Sequence, residues 1–381
     1  MKILINTLAH VGGGGITYLQ NMIPRFSDDH NEYVILVPES RDMLSEPTSS
    51  NVQFKYVNSF FDPLPARLLY EQIILPIRLR QWDIDVLFSP ADLTPLVTNR
   101  PTLLAVRNPN PYFSASEFGL ERPFTRRVKF FIQRQLTKLS AKKAEHVFFV
   151  SDFSREISNK YLSLPDSKTS TLYHGMDASL FINPAEPTDP ELKDTLDAEA
   201  PYVLTVSTVA EHKNYEVLLR AYGRLPPETR DAYPLIIAGR TPSESYLQTL
   251  KGILHEQGIE DDVIFLGGVD YDNVPYLYSN AAIYVLPSKL ETFGHTLVEA
   301  MTSGVPVVAA DSTCMPEITD GAAALFEPDD DERLASIIEE LLNNEDERKS
   351  LRKRGRRRAK DFSWDKTFEQ TKRLLERIGP N

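Results

Sequence analysis

The run Pro287-Ser-Lys-Leu-Glu-Thr-Phe-Gly-His-Thr-Leu-Val-Glu-Ala-Met-Thr-Ser-Gly-Val-Pro306 follows an apolar stretch, Ala282 to Leu286, and carries two glutamates, Glu291 and Glu299. The pattern predicts a strand, a polar loop, a glycine at 294 and a short helix from His295 closed by Gly304. The first-turn N–H groups of such a helix have no partner inside it. With the helix dipole they face whatever lies beyond the strand end. Gly294 lets a ligand approach the backbone. Glu299 lies one helical turn after His295 on the same face and can accept two hydrogen bonds from a vicinal diol. Glu291 stays in the loop, within reach of hydroxyls at the other end of a ligand. A phosphate between two carboxylates fits a nucleotide sugar, with pyrophosphate at the helix, ribose on Glu299 and hexose near Glu291. The blander alternative is a solvated Glu291 and a Glu299 that only supports the helix, because strand, turn and helix with a glycine recur in many α/β proteins.

Working outward, Pro-Ser-x-x-Glu-x-Phe-Gly-x-x-x-x-Glu-Ala-Met-x-x-Gly-x-Pro-Val-Val-Ala resembles the signature of the family-four retaining glycosyltransferases (glycosyl transferases group 1), which have the GT-B fold. Val263 to Val269 and Val274 to Ala281 are similar to the strand and helix before that signature. Pro316 to Ile318, Gly321 to Phe326 and Phe362 to Asp365 are similar to its tail. The likeness covers most of residues 200 to 370. It implies hexose transfer from a nucleoside diphosphate sugar of UDP or GDP type to a hydroxyl of a glycan or lipid-linked acceptor, in surface polysaccharide or glycoconjugate synthesis. It also implies that the departing phosphate takes the acceptor proton on the same face, without a metal or a tightly bound cofactor. Phe293, Gly294, His295 and Thr296 would then hold sugar and pyrophosphate through backbone groups.

Short apolar strands alternate with amphipathic helices along the whole chain, so an α/β protein with two Rossmann-like, doubly wound parallel sheets is expected, each with helices on both faces. Strands are read at Lys2 to Leu8, Tyr33 to Val37, Asp85 to Phe88, Thr102 to Val106 and His146 to Val150, then at Tyr202 to Val206, Leu235 to Ala238, Val263 to Phe265, Ala282 to Leu286 and Val305 to Ala309. Residues 1–184 form an acceptor-side domain in this reading. The proline-rich and acidic stretch 185–200 is a linker with room for one short helix, and 201–365 form the nucleotide-sugar domain. The helix 366–381 crosses back to the first domain if the resemblance holds. The strand carboxyl ends are where open α/β sheets bind ligands.

In the first domain, His10-Val-Gly-Gly-Gly-Gly15 separates a strand from a helix at Ile16 to Phe26. The family's matching loop faces donor phosphates and acceptor, which makes Gly13 and Gly14 binding candidates; a plain flexible loop is the alternative. Val37-Pro38 leaves no acidic residue at the end of the second strand, against NAD binding. Val206-Ser-Thr-Val-Ala-Glu-His-Lys-Asn214 resembles the segment whose basic pair contacts the pyrophosphate. Lys213 matches its lysine, a point charge suited to a leaving phosphate. Thr208 and His212 stand where an arginine is expected, and His212 would be a weaker, pH-dependent donor. Leu103-Leu-Ala-Val-Arg-Asn-Pro-Asn-Pro111 places Arg107 and Asn108 where the family carries a His-Asp or similar pair. Arg107 is therefore a candidate cation for donor phosphates or an anionic acceptor, or else a structural partner of a carboxylate. These departures keep a donor-binding subunit without turnover open, beside a nucleotide-sugar epimerase of the same fold. Tyr173-His-Gly-Met-Asp177 resembles the family's Asn-Gly-Val-Asp turn.

Two basic segments read differently. Arg126 to Lys143 interleaves cations with Phe130, Phe131, Leu136 and Leu139, and suits either a helix packing its apolar stripe into its own domain or one lying on an anionic membrane beside a lipid-linked acceptor. Arg348 to Lys360 has no aromatic stripe and reads as a solvated helix. Asp83-Ile-Asp85 mimics a metal-binding Asp-x-Asp, but its place at a strand entry favours strand-start carboxylates. The net charge of −12 argues against nucleic acid. One cysteine, Cys314, excludes an internal disulfide and a cysteine-based zinc site. With no apolar run long enough to span a bilayer, and a first strand where a leader would stand, a cytoplasmic protein is expected, with peripheral contact at the cytoplasmic face of a membrane if residues 126–143 lie on it.

Overall fold

The computed structural model describes residues 1–9, 14–27, 30–40, 49–108, 110–113, 123–199 and 201–380. They divide into two compact units, residues 1–113, 123–175 and 364–380 in the first and 176–363 in the second. In the first, β1 (Lys2–Asn6), β2 (Glu32–Pro38), β3 (Val52–Val57), β4 (Val86–Ser89), β5 (Thr102–Val106), β6 (His146–Phe149) and β7 (Thr169–Thr171) form a sheet in the order β3-β2-β1-β4-β5-β6-β7. In the second, β8 (Tyr202–Val206), β9 (Leu235–Ala238), β10 (Val263–Gly267), β11 (Ala281–Leu286), β12 (Val307–Ala310) and β13 (Ala323–Phe326) follow the order β10-β9-β8-β11-β12-β13. Every pairing is parallel. Each sheet reverses its winding once, between β1 and β4 and between β8 and β11, and such a reversal opens a crevice at the strand carboxyl ends.

Parallel strands are covered on both faces, which is why they read as continuous apolar runs. In β1, Ile3 and Ile5 join one core with Tyr18, Met22 and Phe26 of the helix Gly14–Ser27, while Leu4 joins a second core with Tyr70, Leu75 and Leu79. The period of two divides one strand between two layers.

The closing helix, Trp364–Ile378, belongs to the first unit. Trp364 meets Tyr18 edge-on at 5.8 Å between ring centroids, Phe368 meets Phe26 at 5.6 Å, and Thr367 Oγ1 donates to Tyr173 O at 2.9 Å. Gly175 lies against it. A β-carbon there would stand 2.3 Å from Trp364 N and 2.5 Å from its Cα, backbone atoms that cannot swing aside. Gly175→Ala should therefore cost about 2 kcal/mol of stability. An unchanged midpoint in urea would show that the helix can shift to admit the methyl group.

Of the stretch 185–200, read as a linker, the described residues 185–199 are folded onto the second unit. Asp189 caps the helix Pro190–Ala198 by accepting from the Glu191 and Leu192 amides, Leu196 is fully buried, and Asn273 Oδ1 accepts from Thr188 N at 3.0 Å. The division falls after Gly175, ahead of the expected boundary at 184. The helix is the short one the stretch had room for, and its one buried leucine among prolines and acids gave no sign of the packing.

The long helix Phe124–Lys143 buries Thr137, Ser140 and Ala141, whereas Phe124, Val128, Phe131, Ile132 and Leu139 stay exposed. Of the stripe read from the sequence, Phe131 and Leu139 are exposed and Phe130 and Leu136 half-buried, so neither alternative describes it alone. The helix Glu345–Ala359 ties its cations down: Arg348 and Arg352 pair with Glu345, Arg354 with Glu347, and Arg358 donates to Glu317 O and Ile318 O. Asp85 Oδ2 accepts from Lys2 N at 2.8 Å, a strand-start carboxylate as expected. Among the described residues no helix is long and apolar enough to cross a membrane.

Candidate functional site

At the winding reversal of the second unit, the loops after β8 and β11 come together. All six residues of β11 are buried, and the chain leaves it through Pro287 and a fully buried Ser288. Gly294 has φ 75° and ψ 57°, the left-handed region that L side chains avoid, so a residue with a Cβ is strained there. This turn starts the helix His295–Ser303, whose end at Gly304 is again left-handed. Phe293 is buried against Phe362 (5.6 Å) and His295 (4.9 Å).

After β8, one tight turn, Glu211–Lys213, ends at Asn214 in the left-handed region. Asn214 Nδ2 donates to Pro287 O at 3.2 Å and Pro328 O at 2.6 Å, and Lys289 N donates to His212 O at 2.9 Å. These bonds lash the two loops together and aim Lys213 at Glu291. The Lys213 ammonium donates to Glu291 Oε1 at 2.5 Å, with 15% and 13% of the two side chains exposed. Ser288 Oγ donates to the same carboxylate oxygen at 3.0 Å, and the Glu291 amide donates to Thr313 Oγ1 at 3.1 Å. Residues expected to act separately, on phosphate and on hexose, thus form one ion pair.

Glu299 is 4% exposed. Tyr278 donates to Oε2 at 3.0 Å and Tyr271 to Oε1 at 3.4 Å. Burial pushes the carboxyl up to about 7, although both tyrosine hydroxyls pull the other way. Near neutral pH it is poised between acid and carboxylate.

Arg107, in the first unit, is held in place. Its amide donates to Asp92 Oδ1 at 2.9 Å, its guanidinium lies 4.7 Å over the Tyr18 ring, and Nη2 stands 3.3 Å from His174 Nε2. Its guanidinium thus meets a ring and an imidazole, while the bond to the Asp92 carboxylate comes from the backbone amide. Gly14 begins the helix Gly14–Ser27, and Gly13 lies outside the described residues. Sequence reasoning missed Asn214, Tyr271, Tyr278 and Thr313. Only Asn214 left a signal, as the asparagine closing a turn before a helix.

Residues 12–180 match the family described as Glycosyltransferase Family 4, and residues 191–358 match Glycosyl transferases group 1. The chain belongs to the family-four glycosyltransferases. The O-antigen chain mannosyltransferase B of Escherichia coli is 33% identical over 234 residues, 61% of this chain and 60% of that protein. The O-antigen chain mannosyltransferase RfbU of Salmonella typhimurium is 30% identical over 209 residues, 55% and 54% of the two chains. The chain thus spans a little over half the length of each. HepE of Anabaena, solved in complex with UDP, shares the fold with a TM-score of 0.74 at 19% identity, over 99% of this chain and 100% of that one. Its two parallel-sheet domains are those of the GT-B architecture.

Proposed function

We propose that this protein transfers a hexose from a nucleoside diphosphate sugar to a hydroxyl of a glycan or lipid-linked acceptor in surface polysaccharide synthesis, with retention at the anomeric carbon. The observation that carries it is the Lys213–Glu291 pair, set beside a helix N-terminus at the winding reversal of the second unit. The bond from the anomeric carbon to the phosphate oxygen breaks, the bond to the acceptor oxygen forms on the same face, and the acceptor proton passes to the departing phosphate. Lys213 shares its charge between Glu291 and that phosphate, supported by His212 and the first-turn N–H groups of the helix His295–Ser303. In this reading Glu291 takes hexose hydroxyls, Glu299 takes the ribose diol, the backbone of Phe293, Gly294, His295 and Thr296 lines the pyrophosphate, and no metal is needed. The names of the mannosyltransferase relatives support mannose as the hexose.

The outward apolar face and the cations of residues 126–143 support peripheral attachment to the cytoplasmic face of a membrane. A donor-binding subunit without turnover is the second reading, favoured by Arg107 being held within its own unit.

Thermal shifts with UDP, GDP, ADP and their common sugar conjugates test the donor site. A ligand at a hundred times its dissociation constant adds about 2.7 kcal/mol. One conjugate should stabilise the protein, and Glu299→Ala should abolish the effect. A folded protein that responds to none of them would overturn the reading. Stabilisation without transfer to any acceptor would select the second.

A further inference from the structure

In the second sheet β11 lies between β8 and β12, so the loop 287–294 that leaves it runs between the segments following its two neighbours. On the β8 side it is held at Pro287 O by Asn214 and at Lys289 N by His212 O. On the β12 side two adjacent hydroxyls hold it. Ser312 Oγ donates to Lys289 O at 2.8 Å, and Thr313 Oγ1 accepts from the Glu291 amide at 3.1 Å. The second of these bonds reaches the backbone of Glu291 itself.

Thr313 makes this bond from an uncommon conformation, with φ 54° in the left-handed region. Among the described residues, five other than glycine have a positive φ: Asp83, Ser163, Asn214, Thr313 and Asp320. Three of them are Asp or Asn, whose short polar side chains tolerate that region, and Ser163 is an unbranched residue at a helix end. Of the five, only Thr313 is branched at the β-carbon, which crowds the left-handed backbone most. Such strain persists only where the surroundings fix it, and it gathers at working sites. Here Met315 N donates to Ser312 O at 3.1 Å and closes the turn across Thr313, and Cys314, next in the chain, is fully buried. Glycine would fit this turn without strain. It would also leave the Glu291 amide without its acceptor, so the hydroxyl is what position 313 supplies.

We infer that Thr313 is a positioning residue for the transferred hexose: its strained backbone places the hydroxyl on the Glu291 amide, and this sets where the Glu291 carboxylate meets the hydroxyls of the sugar. A carboxylate that selects hydroxyls by hydrogen bonding works only when its own backbone is fixed, since a displacement of about 1 Å is enough to lose the geometry. The inference rests on the transferase reading for the hexose, while the strain and the hold on Glu291 do not.

Substitutions at 313 separate the hydroxyl from the strain. Thr313→Val keeps the branched β-carbon and removes the hydroxyl, Thr313→Gly removes both, and Thr313→Ser keeps the hydroxyl with less strain. Affinities for UDP, GDP and ADP are measured beside those for UDP-glucose, GDP-mannose and ADP-glucose, because the difference within a pair reports the hexose alone. Thr313→Val and Thr313→Gly should each lose about tenfold in affinity for the conjugate that the parent binds, and stay within about twofold for its nucleoside diphosphate. Thr313→Ser should keep both. Urea midpoints should not follow that order: Thr313→Gly should lie above Thr313→Val, because its strain is gone. A role in stability alone would make conjugate and nucleoside diphosphate fall together, in step with the midpoint. In the Glu291→Ala protein, adding Thr313→Val should change conjugate affinity by less than about twofold, since Thr313 acts through Glu291. Full conjugate affinity in Thr313→Val, or a full loss that persists without the Glu291 side chain, would overturn the inference. So would a Thr313→Gly protein no more stable than Thr313→Val, which would remove the strain from which it is argued. A parent that responds to no nucleotide and no conjugate overturns the transferase reading itself. A parent that binds a conjugate, beside a Thr313→Val that binds it equally, overturns the role of Thr313 alone.

Discussion

Replacing Lys213 by alanine is expected to lower the rate of transfer by roughly two to three orders of magnitude, the loss usual when one preorganised donor to a developing negative charge is removed. The effect should fall mainly on kcat, because phosphate charge grows as the glycosidic bond breaks and an interaction that strengthens along that path counts most. The same substitution should also cost stability. With Lys213 gone, the Glu291 carboxylate keeps only the Ser288 hydroxyl and stays mostly out of water, a penalty of about 2 kcal/mol. The double variant Lys213→Ala with Glu291→Ala should recover most of that stability and none of the rate. Urea midpoints and steady-state rates on the four proteins of the cycle separate the two consequences. If the double variant is as unstable as Lys213→Ala, the pair is not the coupled unit that its 2.5 Å contact indicates. A Lys213→Ala rate within a factor of a few of the parent would remove the ammonium from the chemistry.

That pairing was not legible in the sequence, and the reason is geometric. Lys213 and Glu291 are 78 positions apart and meet only because the first and fourth strands of the second sheet lie side by side. Local patterns do carry information within one element. The left-handed glycine at 294, the helix behind it and the buried run before it follow from residue types and spacing, and so do the ten strands that were read. The three missed strands lacked the pattern. β3 carries Gln53, Lys55 and a half-exposed Tyr56 at the sheet edge, β7 has three residues, and β13 begins in a run of alanines. Edge strands are polar on their open sides, so the apolar run thins there. The tyrosines on Glu299 were hidden for the same reason as the ion pair. They reach it from the segment Tyr271–Ser279, twenty-one and twenty-eight positions back, and no spacing rule joins a strand-end helix to the one before its strand.

Those tyrosines make the pH behaviour of Glu299 specific enough to test. The native carboxyl is raised from its ordinary 4.5 to about 7, with burial as the main cause. A group raised on folding favours the native state while protonated. Its contribution is fully present below pH 4.5, falls away as pH rises toward 7, and stays lost above, where the protein must hold a buried carboxylate. The difference corresponds to roughly 3 kcal/mol. Glu299→Gln is neutral at every pH, and its amide can still accept from one tyrosine hydroxyl and donate to the other. The variant should match the parent near pH 4.5 and exceed it by up to about 3 kcal/mol at pH 8. Donor binding should move the opposite way. A ribose diol wants a carboxylate with two accepting oxygens, so the parent should gain affinity between pH 6 and 8, while glutamine, with one acceptor, should bind weakly and without that rise. Unfolding midpoints and nucleotide-sugar affinities, measured together from pH 4.5 to 8.5, give both curves. A constant stability difference across that range would mean that Glu299 titrates as an ordinary surface acid. A stability difference that grows with pH while donor affinity stays flat would keep the buried carboxyl and remove the diol from it.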